Sequence, residues 1–111
     1  MLETYWEKEI LVVKVTLEKL DMAVAADFQY SFADLIKGVD SMVLLDLSNV
    51  KFMDSSGLAA FVFCFQSTDI KQELAICEVQ ERVAQLFRLT RMDQIVTIYP
   101  TVPEAVETLG A

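Results

Sequence analysis

Apolar positions run almost unbroken through Ile10-Leu11-Val12-Val13-Lys14-Val15. The run is β-branched and short, so residues 5–16 read as extended. Glu7-Lys8-Glu9 predicts a turn that leaves residues 2–6 as a separate edge strand. The period then changes. Val24, Phe28, Phe32, Leu35 and Ile36 recur every three or four positions, which is one face of a helix. Asp21 is placed as its N-cap and Gly38 as its C′ stop. Residues 41–49 carry Met42-Val43-Leu44-Leu45-Asp46-Leu47, a near-continuous apolar run that suits a central strand covered on both faces. The turn Met53-Asp54-Ser55-Ser56-Gly57 leads into a short helix to about Ser67, and residues 73–79 read as another strand. A helix follows over 81–92, with Val83, Leu86, Phe87 and Thr90 on one face and Glu81, Arg82, Gln85 and Arg88 toward water. Residues 95–99 form a last strand. Thr101-Val102-Pro103-Glu104 has the form of a capping box with proline in the first turn, opening a helix to about Leu109.

The order β-β-α-β-α-β-α-β-α implies an α/β fold whose strands are joined by right-handed helical crossovers. In 111 residues this predicts a mixed, mostly parallel sheet of four or five strands with about four helices, in a single domain over residues 1–111. Composition narrows the chemistry. Net charge is −8, which disfavours nucleic acid and anionic membrane surfaces. The apolar run 58–65 is far short of the roughly 20 residues needed to span a bilayer. No signal-peptide pattern opens the chain, so a cytoplasmic protein is expected. Cys64 and Cys77 lie in apolar runs and read as buried free thiols. Histidine is absent, which removes Ser-His and Cys-His nucleophile pairs and every histidine-based metal site. A serine hydrolase is disfavoured on the same ground, and no enzyme activity, metal or cofactor is expected.

The Asp54-Ser55-Ser56-Gly57 turn has a plain reading. Aspartate and serine are favoured N-caps, and Gly57 would let the backbone turn tightly. It also has a functional reading. A helix start carries unpaired N–H groups and the positive end of the helix dipole, so a phosphate on a serine there is tolerated. It would add nearly two negative charges beside Asp54. The protein would accept the modification, and an acidic partner would be repelled by it.

Phe52-Met53-Asp54-Ser55-Ser56-Gly57-Leu58, following Val43-Leu44-Leu45-Asp46-Leu47, resembles the signature of the STAS domain, in particular that of the bacterial anti-sigma factor antagonists. Lys19-Leu20-Asp21 is similar to the segment entering that family's first helix, and residues 82–95 to its third helix and the following turn. The resemblance implies that Ser55 accepts phosphate from a serine kinase of the histidine-kinase-like ATPase fold. That kinase is also the anti-sigma factor, which the unmodified antagonist binds. A metal-dependent serine phosphatase reverses the modification. By the same resemblance Asp21 and Asp54 face the kinase, Ser56 and Gly57 shape the turn, and Ser56 is the fallback acceptor.

There are departures. Glu18 and Lys19 stand where the family often has glycine, a glycine pair before the fourth strand is replaced by the short charged segment 69–73, and the family's Thr-Gly-Leu is Thr90-Arg91-Met92. These bear on which partner is recognised and spare the serine turn. The helix after the turn adds a further expectation. Leu58, Phe61, Val62 and Phe65 form one apolar face, and Ala59, Ala60, Phe63 and Cys64 leave almost nothing polar elsewhere. A helix apolar all round is buried or partner-bound, so Leu58 and Phe63 are candidate docking residues. The competing function is a constitutive STAS subunit of a lipid-transport ABC complex, in which the turn is an interface element without phosphate turnover.

Overall fold

A computed structural model describes residues 1–66 and 74–110. Two strands open the chain, the edge strand β1 (Leu2–Glu7) and the inner strand β2 (Ile10–Val15), joined by a two-residue turn in which Lys8 takes φ 55°. They pair antiparallel, with Glu7 opposite Ile10, so Glu7 belongs to the strand and not to the turn. The chain continues through β3 (Lys19–Leu20), α1 (Ala25–Ile36), β4 (Val43–Asp46), β5 (Phe52–Met53), α2 (Ser55–Gln66), β6 (Leu74–Cys77), α3 (Glu81–Leu89), a 3-10 turn (Met92–Gln94), β7 (Thr97–Tyr99) and α4 (Val102–Leu109).

The main sheet has five strands in the order β1-β2-β4-β6-β7, and every pairing after the first is parallel. β4 sits at its centre with all four residues buried. Side chains on a strand alternate between faces, and the core divides accordingly. Val43 and Leu45 join Phe28, Phe32, Phe61 and Phe87 under α1, α2 and α3. Leu44 joins Val12, Ala75, Ala105 and Val106 under α4. Three helices therefore lie side by side on one face and one helix covers the other. The Phe61 and Phe87 rings, 5.2 Å apart, lock α2 to α3. Cys64 and Cys77 are buried free thiols, and burial pushes both up to about 12.

Several boundaries differ from the sequence expectation. The helix after Asp21 starts at Ala25 with Val24 in the capping position and no side-chain cap, so Asp21 is not the N-cap. Its carboxylate instead accepts the Ala23 N–H at 3.1 Å and its carbonyl accepts those of Val24 and Ala25, which forms a turn ahead of the helix. Gly38 does follow the C-cap, at φ +80°. α3 stops at Leu89, three residues short of Met92. Thr90 is exposed and not on the core face; its hydroxyl donates to the Leu86 carbonyl at 2.8 Å. Arg91 itself adopts the left-handed conformation, φ 61°, where the family has glycine. The last strand begins at Thr97 and not at Ile95, which is 74% exposed. The strand expected over 73–79 is Leu74–Cys77, and the charged segment 69–73 lies outside the described residues.

Candidate functional site

In a parallel sheet the loops leaving the carboxyl ends of the strands share one edge. Here they are the segments after β2, β4 and β6, and hydrogen bonds tie them together. Leu47 N–H donates to the Cys77 carbonyl at 3.1 Å and the Gln80 side-chain amide donates to the Ser48 carbonyl at 2.6 Å. Asp46, buried at the end of β4, accepts the Ser48 N–H at 2.8 Å and turns the chain.

On this platform β3 and β5 form a two-residue parallel ribbon, Lys19 beside Phe52 and Leu20 beside Met53. Lys51 N–H donates to the Glu18 carbonyl at 2.7 Å, and the two side chains form an exposed ion pair at 3.5 Å. The ribbon delivers residues 21–24 and 54–57 to one place. Asp54 joins them. Its Oδ1 accepts the Gly57 N–H at 2.8 Å and its Oδ2 accepts the Met22 N–H at 3.1 Å. The first contact caps α2 at its third residue, and the second ties the cap to the segment entering α1.

Gly57 has a different job from the one its position in a turn suggests. It lies within the first turn of α2 and has no positive φ. A Cβ there would overlap the Leu20 carbonyl, whose carbon would lie 2.7 Å away. Glycine is needed for close approach of α2 to β3, not for a backbone bend.

Asp21, Asp54, Ser55, Ser56 and Gly57 are thus brought together. Asp21, Asp54 and Ser56 are half-buried, Gly57 is buried and Ser55 is exposed. Among the described residues the Ser55 hydroxyl makes no hydrogen bond to the protein. Leu58 is half-buried against the core and its N–H closes the first helical bond, to the Asp54 carbonyl at 2.8 Å. Phe63 stands apart from the turn, about 12 Å further along the helix axis, and is 43% exposed. The outward stripe of α2 is Ser55, Ala59, Phe63 and Gln66, while Ala60, Phe61 and Cys64 face the core. Leu58, Val62 and Phe65 are partly buried against the core, so only part of this face reaches solvent.

Four neighbours make contacts that the sequence did not indicate. Met22, 77% exposed, sits directly beside the Asp54 contact. Phe52 lies under the Arg82 guanidinium at 5.6 Å, which couples α3 to the ribbon. Lys51 and Glu18 flank it. An exposed methionine immediately after Asp21 was the one available signal; two-residue strands leave no periodicity to detect. No group of three or more metal-ligating side chains occurs among the described residues, and none of the described helices is long and apolar enough to cross a membrane.

This is a small α/β domain with an exposed serine at a capped helix start, built on a rim where three loops converge. The chain belongs to the STAS domain family, whose pattern matches residues 2–105. It is 30% identical over 101 residues, 89% of each chain, to a putative anti-sigma factor antagonist of Thermotoga neapolitana. It is 38% identical over 55 residues to the anti-sigma-B factor antagonist of Listeria monocytogenes. That second match spans about half of each protein, 49% of this chain and 48% of the relative. Among solved structures, an anti-sigma factor antagonist from Mycobacterium paratuberculosis superposes with TM-score 0.87 at 19% identity, covering 100% of this chain and 94% of that one. The Bacillus cell fate determinant SpoIIAA in its phosphorylated form superposes with TM-score 0.67 at 14% identity, covering 97% and 98%. Those two likenesses concern the fold.

Proposed function

We propose that the protein is a partner-switching regulator of the anti-sigma factor antagonist type, with Ser55 as the switch. One observation carries the reading. Ser55 is the first residue of α2, exposed, with its hydroxyl unused among the described residues and the Asp54 carboxylate fixed beside it. The cap occupies the Gly57 N–H, and no partner within the described residues is recorded for the N–H groups of Ser55 and Ser56. A phosphate on Ser55 is therefore stabilised by the helix start, and it adds nearly two negative charges at the rim.

In the unmodified state the rim of Asp21, Asp54, Ser56 and Gly57, extended by Leu58 and Phe63, binds an anti-sigma factor. That factor is a serine kinase of the histidine-kinase-like ATPase fold. Phosphorylation of Ser55 by the same kinase releases it, and a metal-dependent serine phosphatase resets the site. The protein acts in the cytoplasm and carries out no chemistry on a small molecule. The relatives named as anti-sigma factor antagonists and the existence of a phosphorylated SpoIIAA form support this reading.

The test is binding of the cognate kinase by isothermal titration. Wild type and Ser55→Ala should bind alike, and Ser55→Asp should bind at least roughly tenfold more weakly if charge is the signal. Equal affinity of Ser55→Asp would contradict the mechanism. Co-purification from the native host with the ATPase subunit of a lipid transporter, without phosphate on Ser55, would favour the constitutive-subunit reading.

A further inference from the structure

The helical face carries a charge pattern that the switching reading does not use. α1, α2 and α3 lie side by side on one face of the sheet, with α2 in the middle. α2 contains no charged residue, and its outward stripe is Ser55, Ala59, Phe63 and Gln66. On one flank α1 exposes Asp27 and Asp34 around Tyr30, which is 77% exposed, and the helix holds no basic residue. On the other flank lie all the arginines of the chain, Arg82, Arg88 and Arg91, against Glu81 and the half-buried Asp93. All three are exposed, and Leu89 between them is 83% exposed. Arg91 forms no ion pair among the described residues, although its backbone occupies the left-handed region.

An apolar centre with an acidic flank on one side and a basic flank on the other is self-complementary under a two-fold rotation. Turning a second copy by 180° about an axis parallel to α2 and lying just outside it, in the contact plane, lays α2 on α2, and each acidic α1 on the other copy's basic α3. The contact is isologous and closes at two copies. We propose that this face is a homodimer interface, occupied by a second copy of this chain. Helices packed about 10 Å apart and about 18 Å long give a footprint of roughly 500–600 Å² per copy. That is below the ~800 Å² per partner of a standard stable interface, so the dimer is weak and depends on concentration. The inference needs neither kinase nor phosphate; because the central stripe carries Ser55 and Phe63, a dimer and the proposed kinase complex exclude each other.

Sedimentation velocity across the micromolar-to-millimolar range tests it. The mass should rise from that of the 12.5 kDa chain toward twice that value. D27K/D34K and R88D/R91D should each weaken dimerisation by roughly a hundredfold, because like charges then face each other. Mixing the two variants should restore dimers, since in the mixed pair every α1–α3 contact joins opposite charges. All four positions are exposed, so circular dichroism should show the fold unchanged. A monomer at every concentration overturns the proposal. So does a dimer that both variants leave intact, or variants that fail to associate when mixed.

Discussion

Two helices start at the same rim of the sheet by the same device, and only one of the starts bears the marks of a functional site. At α4, Thr101 accepts the Glu104 N–H at 3.2 Å, and Glu78 accepts the Val102 N–H at 2.9 Å. At α2, Asp54 accepts the Gly57 N–H at 2.8 Å. In both, a side-chain oxygen satisfies the third N–H of the helix. The difference lies in what else the capping residue does. Thr101 spends its hydroxyl on its own helix. Asp54 has a second oxygen, which it gives to Met22, 32 residues away in sequence. It thereby leaves the Ser55 hydroxyl uncommitted at the first helical position. Capping chemistry alone is therefore silent about function; the cross-link between two loops and the spare hydroxyl distinguish the site.

The comparison breaks most sharply at the third residue of each helix. Gly57→Ala should cost about 2–3 kcal/mol, the penalty of overlap with a backbone carbonyl less the gain in helix propensity. Glu104→Ala, at the matching position of α4, should stay within about 0.5 kcal/mol. Urea denaturation of both variants checks this, and equal costs would mean that the α2–β3 approach is not tight.

The capping residues come next. Asp54→Ala should cost about 2 kcal/mol and Thr101→Ala about 1 kcal/mol, because Asp54 closes two contacts and Thr101 one. Hydrogen exchange separates the two effects: the Met22 amide should lose protection in Asp54→Ala and keep it in Thr101→Ala.

The smallest effects lie at helix ends. Gly38 and Arg91 both occupy left-handed backbone after α1 and α3, at φ 80° and 61°. Arg91→Gly should stabilise the protein by about 0.5–1 kcal/mol, and Gly38→Ala should destabilise it by about 1 kcal/mol. Thermal melts of the two variants should move in opposite directions.

The chain order of strands and helices was legible because each main element buries a face with its own period. The central strand was plain in Met42-Val43-Leu44-Leu45, apolar on consecutive positions because helices cover both sides. The serine turn was legible as a helix start for the same reason that Thr101 was: both use residue types that accept N–H bonds. What escaped was set by partners distant in sequence. The β3–β5 ribbon has two residues per strand, too few for any pattern. Asp21 has the right residue type for a cap, yet the helix begins four residues later, after a turn formed by Asp21 and tied by Met22 to Asp54. Gly57 was attributed to a turn because its true neighbour, the Leu20 carbonyl, comes from another part of the chain. Phe63, a candidate docking residue because almost nothing around α2 is polar, lies on the outward stripe.

The central claim is that Ser55 is the phosphoacceptor, and intact-mass measurement after incubation with ATP and the cognate serine kinase tests it most directly. Wild type should gain one phosphate, mapped by fragmentation to Ser55, and Ser55→Ala should gain none. A phosphate that persists in Ser55→Ala, or a wild-type protein left unmodified by a kinase that binds it, would contradict the claim.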